Sequence, residues 1–261
     1  TMTKKQIFNA EVVSNIALSA RYSYLLLQLP HETEGMDVQP GQFVEVKVDN
    51  SPSTYLRRPI SICDYDERNN TMTLLIRRAG EGTEHLCNLL PGSHINLVGP
   101  LGKGFTIPAP GSDALLCGGG IGVAPLLLLG RRMREHGVNV SFLLAARTAA
   151  EILLKDEFRA IGAVNIATDD GSEGEKGFAH EHSALQRSYH LVCVCGPKPM
   201  MQGIARQARR TGSACEVSLE NLMACGVGAC LCCVEPTLKG NLRACVSGPV
   251  FNTAMLLWNL D

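Results

Sequence analysis

No transmembrane helix is predicted anywhere in this sequence. One stretch, Ala114 through Gly130, carries no charge over seventeen residues. It falls short of the roughly twenty apolar residues that a span needs, and Gly118-Gly-Gly-Ile-Gly and Pro125 interrupt it. An excess of one charge is missing as well: 24 Lys and Arg against 25 Asp and Glu leave a net charge of −1. That balance offers no electrostatic footprint for nucleic acid. The start of the sequence, Thr1-Met-Thr-Lys-Lys-Gln, has no apolar core of a secretory leader, so a cytoplasmic location is expected. No internal repeat or low-complexity tract is visible.

Cysteine, by contrast, is abundant, with eleven in 261 residues. In a reducing compartment such thiols are expected to be free or metal-bound rather than paired in disulfides. Cys225, Cys230, Cys233 and Cys245 follow the spacing C-x4-C-x2-C-x11-C, that of a plant-type two-iron, two-sulfur site. Gly226 and Gly228 let the backbone curl around inorganic sulfide and bring N–H groups to the sulfurs. A structural zinc site remains the alternative, although it usually pairs two short C-x2–4-C knuckles. Most of the others, Cys63, Cys87, Cys117, Cys193, Cys195, Cys215 and Cys232, are expected to act as small buried hydrophobes.

Along the chain the pattern changes twice. From Ile7 to about Pro108, short β-rich runs such as Tyr22-Ser-Tyr-Leu-Leu-Leu-Gln-Leu, Phe43-Val-Glu-Val-Lys-Val and Thr71-Met-Thr-Leu-Leu-Ile-Arg-Arg are separated by Gln39-Pro-Gly and Leu90-Pro-Gly turns. These predict a small antiparallel barrel with one short helix around Glu84 to Leu90. After Pro108-Ala-Pro-Gly, strand and helix alternate: strands at Ala114-Leu-Leu-Cys, Val138 to Ala145 and Leu191 to Cys195, helices at Ala124 to His136 and Pro199 to Arg210. Such alternation implies a parallel sheet. The remainder, from about Ala214, is too short for a core of its own and is expected to be organised by its cluster. The expected fold class is therefore α+β multidomain: an antiparallel β-barrel over residues 2–107, an α/β parallel-sheet domain over 108–213 and a small iron–sulfur segment over 214–261.

In Cys117-Gly-Gly-Gly-Ile-Gly-Val-Ala-Pro a buried strand ends and a helix begins. The helix N-terminus then points free N–H groups into the crevice at the sheet's C-terminal edge, with Pro125 fitting the first turn. The spacing departs from G-x-G-x-x-G, and a glycine turn that merely packs strand on helix reads equally well. A second glycine-rich strand end, Cys195-Gly-Pro-Lys-Pro-Met, opens on the same edge, and the two together favour a nucleotide site. In the barrel, Leu56-Arg-Arg-Pro-Ile-Ser-Ile lets Arg58 and Ser61 reach one phosphate-bearing ligand if Pro59 bends the strand. An exposed, salt-bridged Arg58 is the alternative. Arg77 and the loop Gly80-Glu-Gly-Thr83 offer a second cationic, N–H-rich place for an anion.

These motifs, in this order, resemble the ferredoxin reductase superfamily. The block Glu220-Asn-Leu-Met-Ala-Cys-Gly-Val-Gly-Ala-Cys with Cys245-Val-Ser-Gly-Pro-Val-Phe is similar to the electron transfer subunits of class 1B dihydroorotate dehydrogenases. The resemblance implies that Arg58, Pro59, Ile60 and Ser61 hold FAD, with Leu75, Ile76 and Arg77 along the next strand and Gly82 and Thr83 at the pyrophosphate. It further implies that Gly118, Gly119, Gly120 and Gly122 approach NAD, that Cys195, Gly196 and Pro197 lie beside its nicotinamide, and that Cys225, Cys230, Cys233 and Cys245 hold a 2Fe-2S cluster. Cys232 adjoins the third ligand; Cys233 is preferred because it preserves C-x2-C. Electrons would pass from the FMN of a separate catalytic subunit, which oxidises dihydroorotate in pyrimidine biosynthesis, through the cluster and FAD to NAD+, in a heterotetramer of two of each subunit. No catalytic base for dihydroorotate is expected here.

Thr168-Asp-Asp-Gly-Ser places two carboxylates after a strand, where either could accept from the adenosine ribose and repel a 2′-phosphate; a turn with a cap is the other reading. Arg147, also after a strand, argues the opposite way. Two other functions are compatible with the motifs. One is the flavin subunit of an NADH-dependent ferredoxin:NADP oxidoreductase, in which aspartate commonly takes the place of Cys225. The other is a non-catalytic scaffold with a zinc-stabilised tail. The Gly-Pro-Val-Phe ending with Leu256, Leu257 and Trp258 is expected either to bury apolar surface on a partner or to pack on its own chain.

Overall fold

The computed structural model describes residues 5–260. Strands β1 (Gln6–Ala17), β2 (Tyr22–Gln28), β3 (Phe43–Val46), β4 (Arg58–Asp66), β5 (Thr71–Arg77) and β6 (His94–Leu101) close a barrel in the order β1-β2-β5-β4-β3-β6. All neighbouring pairs are antiparallel. Period-two alternation sends Leu25, Leu27, Val44, Val46, Leu74 and Ile76 into the barrel core. Helix α1 (Glu81–Cys87) adds Leu86 and Cys87 to that core. It starts about one turn earlier than the sequence predicts, and ends where the Asn88 N–H bonds back to His85 O.

The second layer is a seven-stranded sheet, ordered β10-β9-β8-β7-β11-β12-β15. Its elements are β7 (Asp113–Gly119), α2 (Ala124–Glu135), β8 (Asn139–Ala146), α3 (Lys155–Ile161), β9 (Ala163–Thr168), β10 (Glu175–Lys176), β11 (Leu191–Cys195), α4 (Lys198–Arg210), β12 (Ala214–Ser218) and β15 (Val250–Asn252). Every pair is parallel except β12 with β15. Strand order runs one way from β7 to β8 and β9 and the other way to β11 and β12. Ligand crevices of open α/β sheets form at such a switch point.

Between them, the C-terminal segment adds the hairpin β13 (Val234–Thr237) and β14 (Gly240–Arg243) and the single turn α5 (Ala244–Ser247). Two of its pieces belong to the large sheet rather than to the cluster. Ala214–Ser218 pairs in parallel with β11, burying Cys215 and Val217, and Val217 pairs in turn with Phe251. Hydrophobic burial, not a cluster, therefore anchors both ends of this segment.

Barrel and sheet are packed face to face. Tyr22, Cys63 and Leu75 of the barrel share a core with Ala124, Leu127 and Phe142. Arg131 of α2 pairs with Asp64 and donates to Tyr65 O at 3.0 Å, and Thr106 N donates to Glu216 at 2.9 Å across the seam. No helix among the described residues is long and apolar enough to cross a membrane.

Candidate functional site

A cleft of about 970 Å3 opens at the switch point between β7 and β11, walled on its other side by the barrel. Gly119 at the end of β7 and Gly120 just after it, Gly196 and Pro197 just after β11, and Arg77 of β5 edge it. The other glycines of the first loop do a different job. A Cβ on Gly118 would lie 2.7 Å from a methyl of Val123, and one on Gly122 only 2.3 Å from the Cys195 carbonyl oxygen. They are close-packing positions that let the two strand ends meet, whereas a Cβ on Gly120 would meet only the Tyr22 hydroxyl at 3.8 Å. Cys195 itself is buried behind the cleft, and burial pushes its thiol well up, so it stays a neutral thiol.

On the barrel, Arg58 donates to the carbonyl of Leu56 at 2.9 Å, and a Cβ on Gly82 would lie 2.9 Å from the Arg58 side chain. The structure thus brings Arg58 and the Gly80-Glu-Gly-Thr83 loop together. Thr83 spends its hydroxyl within its own turn, accepting from Ala79 N and donating to Gly80 O. Pro59, Ile60 and Ser61 are half-buried along β4. Leu75 and Ile76 face opposite ways, Leu75 into the interdomain core and Ile76 into the barrel. Only their backbone is available to a ligand.

The four spaced cysteines fall into two pairs. Cys225 Sγ accepts from Ala229 N at 3.3 Å and Cys230 N at 3.5 Å, and these N–H groups lower its thiol to about 6. Cys233 Sγ accepts from Cys245 N at 3.4 Å, and burial, followed by the neighbouring Cys233, pushes the Cys245 thiol up to about 12. Gly226 and Gly228 adopt positive φ, 65° and 88°, as the curl requires, and Arg243 pins Gly228 O at 2.8 Å. Cys233 is buried and Cys232 exposed. Among the described residues no three His, Cys, Asp or Glu converge on a single point. Two thiol pairs with amide N–H groups aimed at sulfur fit the donor set that a two-iron cluster would need. Of the remaining cysteines, Cys232 departs from the buried role expected for it; Cys63, Cys87, Cys117, Cys193, Cys195 and Cys215 are buried.

Glu45 is a site residue that the sequence reading passed over. It is 1% exposed on β3, neither carboxylate oxygen has a hydrogen-bond partner, and Gly226 of the cysteine loop packs against it. Burial pushes its carboxyl from an ordinary 4.5 up to about 7, opposed by Arg57 and reinforced by Cys225. The unfolded chain ionises this group near 4.5 while the folded chain holds its proton to about 7. Stability is therefore lost as pH rises through that window and stays lower above it. Glu45→Gln is expected to gain on the order of 3 kcal/mol over the parent between pH 4.5 and 8. Melting temperatures at the two pH values check this, and a parent-to-variant difference independent of pH would refute it.

Other residues of the cleft carry no family spacing that a sequence reveals. Glu220 faces the cleft; the surrounding protein raises its carboxyl, opposed by Arg77. Phe178 and His180 stack at the rim with centroids 5.8 Å apart. Of the two consecutive aspartates, Asp169 lines the cleft while Asp170 accepts from Ser172 N and Oγ at 2.9 and 2.6 Å. The turn reading holds for Asp170, while Asp169 is the carboxylate of the pair placed on the cleft. At the C-terminus Phe251 and Leu256 are buried and Trp258 packs on the chain's own core, while Leu257 stays 60% exposed.

A barrel and a parallel sheet sharing a glycine-edged cleft define a flavin- and nicotinamide-dependent oxidoreductase, and three family models match in that order. They are an oxidoreductase FAD-binding domain at residues 9–105, an oxidoreductase NAD-binding domain at 115–206 and the iron–sulfur cluster binding domain of dihydroorotate dehydrogenase B at 220–257. The dihydroorotate dehydrogenase B (NAD(+)) electron transfer subunit of Desulforamulus reducens is 39% identical, covering 97% of this chain and 99% of that one. The subunit of the same name from Bacillus caldolyticus is 41% identical over 82% of this chain and 84% of its own length. Among solved structures, that of an NADH-dependent reduced ferredoxin-NADP oxidoreductase superposes with a TM-score of 0.85 at 27% identity, covering 95% of this chain and 90% of the other. The chain belongs to the family of dihydroorotate dehydrogenase B electron transfer subunits.

Proposed function

We propose that this chain carries electrons from the FMN of a dihydroorotate dehydrogenase catalytic subunit to NAD+, in pyrimidine biosynthesis in the cytoplasm, within an assembly of two of each subunit. The observation that carries the reading is a contact: Gly226 of the cysteine loop packs on Glu45, whose strand partner is Pro59 of the Arg58–Ser61 motif. Cluster and flavin motifs are thus neighbours through one strand pair. Bound FAD would supply the exchange between hydride and single electrons, and the cluster the single-electron relay.

The chain's own residues then have separable tasks. Arg58 and the Gly82–Thr83 loop would hold the flavin's phosphates, with Pro59, Ile60, Ser61, Leu75, Ile76 and Arg77 alongside. Gly119, Gly120, Gly196 and Pro197 would admit the nicotinamide nucleotide closely, and Gly118, Gly122 and Cys195 support that edge by packing. Cys225, Cys230, Cys233 and Cys245 would ligate the cluster; the burial of Cys233 and exposure of Cys232 support that choice. Residues 2–107, 108–213 and 214–261 are the corresponding functional divisions, with β12 and β15 of the last woven into the sheet of the second.

Around the thiols, Leu222, Val227 and Leu231 are 85%, 45% and 61% exposed, and Cys230 is exposed too. Exposed apolar residues beside a one-electron site support docking of the FMN subunit there. The isolated chain, loaded with its cofactors, is expected to oxidise NADH with an artificial acceptor and to leave dihydroorotate untouched. Dihydroorotate-dependent NAD+ reduction should appear only on mixing with the FMN subunit. Activity toward dihydroorotate in this chain alone would rule the assignment out.

A further inference from the structure

The outer end of the cleft holds a cluster of charges that its glycine edges do not explain: Arg21, Arg147, Glu151 and Asp169. Arg147 meets Glu151 in a two-pronged contact, Nε to Oε2 at 3.2 Å and Nη2 to Oε1 at 2.9 Å. Arg21, from the turn between β1 and β2, reaches the same Oε1 at 3.3 Å. One carboxylate thus holds two guanidiniums, one from each domain. The loop that carries it is braced against the aspartate turn. Asp169 N and Asp170 N donate to the carbonyls of Ala146 and Arg147, both at 3.2 Å, and Ala149 N donates to Ser172 Oγ at 2.8 Å. Glu151 and Asp169 both raise the hold on Arg147's proton, Glu151 the more strongly.

We infer that Glu151 sets the choice of NAD over NADP by keeping Arg147 and Arg21 occupied. The inference rests on the nucleotide cleft proposed above. A 2′-phosphate is recognised by guanidinium forks with free donors. Here the Arg147 fork is turned into Glu151 and Arg21 reaches the same carboxylate through one Nη, and a 2′-phosphate approaching them meets two carboxylates, Glu151 and Asp169. Like-charge contact rejects the wrong ligand, while the ribose hydroxyls of NAD donate to carboxylates without penalty. Exposed ion pairs contribute little to folding. Removing the charge of Glu151 therefore leaves the fold standing and releases two arginines into the cleft.

The test measures NAD+ and NADP+ binding by calorimetry in the FAD-loaded chain, for the parent, Glu151→Gln, and Glu151→Gln combined with Arg147→Ala. Glu151→Gln is expected to tighten NADP+ relative to NAD+ by about tenfold or more, and Arg147→Ala to cancel most of that gain. The ratio of kcat/KM for NADPH to that for NADH, with ferricyanide as acceptor, should move in step. If NAD+ still binds and Glu151→Gln leaves the ratio unchanged, the role of Glu151 is overturned while the cleft stands. A gain that survives Arg147→Ala overturns the release of Arg147. Should neither nucleotide bind the parent, the cleft itself falls and this inference with it.

Discussion

Serine in place of Cys225, Cys230, Cys233 or Cys245 is expected to take iron from about two atoms per chain toward zero, whereas Cys232→Ala leaves it unchanged. The four are already in pairs: Cys225 with Cys230 at the tip of the loop, Cys233 with Cys245 beneath it. With each pair holding one iron, as proposed, losing one thiolate would leave that iron with a single protein ligand. Serine is a hard oxygen donor where soft thiolate is wanted. Cys232 is exposed and lies outside the proposed ligand set, so its loss should remove no ligand. Because β12 and β15 anchor the segment in the sheet, the serine variants should keep their fold, their flavin and NADH oxidation with an artificial acceptor. Iron content and the electron paramagnetic signal of the reduced protein decide the matter. Cluster loss in Cys232→Ala with retention in Cys233→Ala would reverse the assignment.

Much of this architecture could be read from local patterns. The strands of the barrel announce themselves by period-two alternation between glycine and proline turns, and Leu191–Cys195 is a strand as predicted because five consecutive buried residues need a sheet on both sides. The ligand spacing, too, is a short-range signal. What stayed hidden depends on distant pairing. Ala214–Ser218, assigned from sequence to the iron–sulfur segment, joins the sheet only because β11 provides its parallel partner, and Val250–Asn252 completes the sheet only by returning across thirty-odd residues to β12. Glu45 gives one faint signal, a lone acid within Phe43-Val-Glu-Val; its burial is set by the cysteine loop landing on it. The carboxylate shared by Arg21 and Arg147 joins residues 130 positions apart, which no spacing rule reveals.

The second large effect is expected at Gly122. An alanine there would place its Cβ 2.3 Å from the oxygen and 2.5 Å from the carbon of the Cys195 carbonyl, and 2.7 Å from Gly196 N. All three atoms are backbone and none can rotate away. Nor can the strand retreat, because Cys195 is laddered between Gly118 of β7 and Ser218 of β12. The two loops must therefore part at the edge where the nucleotide is proposed to enter. Overpacking of this kind costs about 1–3 kcal/mol, a drop of several degrees in Tm for a chain of this size. The NAD+ affinity of Gly122→Ala is expected to fall by about tenfold or more, since near-contact sites tolerate little displacement. Gly120→Ala supplies the contrast. Its φ of 54° puts a side chain in the left-handed region at a cost of about 1–2 kcal/mol, yet its Cβ has open space. Comparable destabilisation with a much smaller loss of NAD+ affinity is therefore expected at Gly120. Calorimetric titration and thermal melts of the two variants separate packing of the strand ends from backbone strain. An unchanged Tm and NAD+ affinity in Gly122→Ala would show that the close approach of β7 and β11 does not shape the cleft.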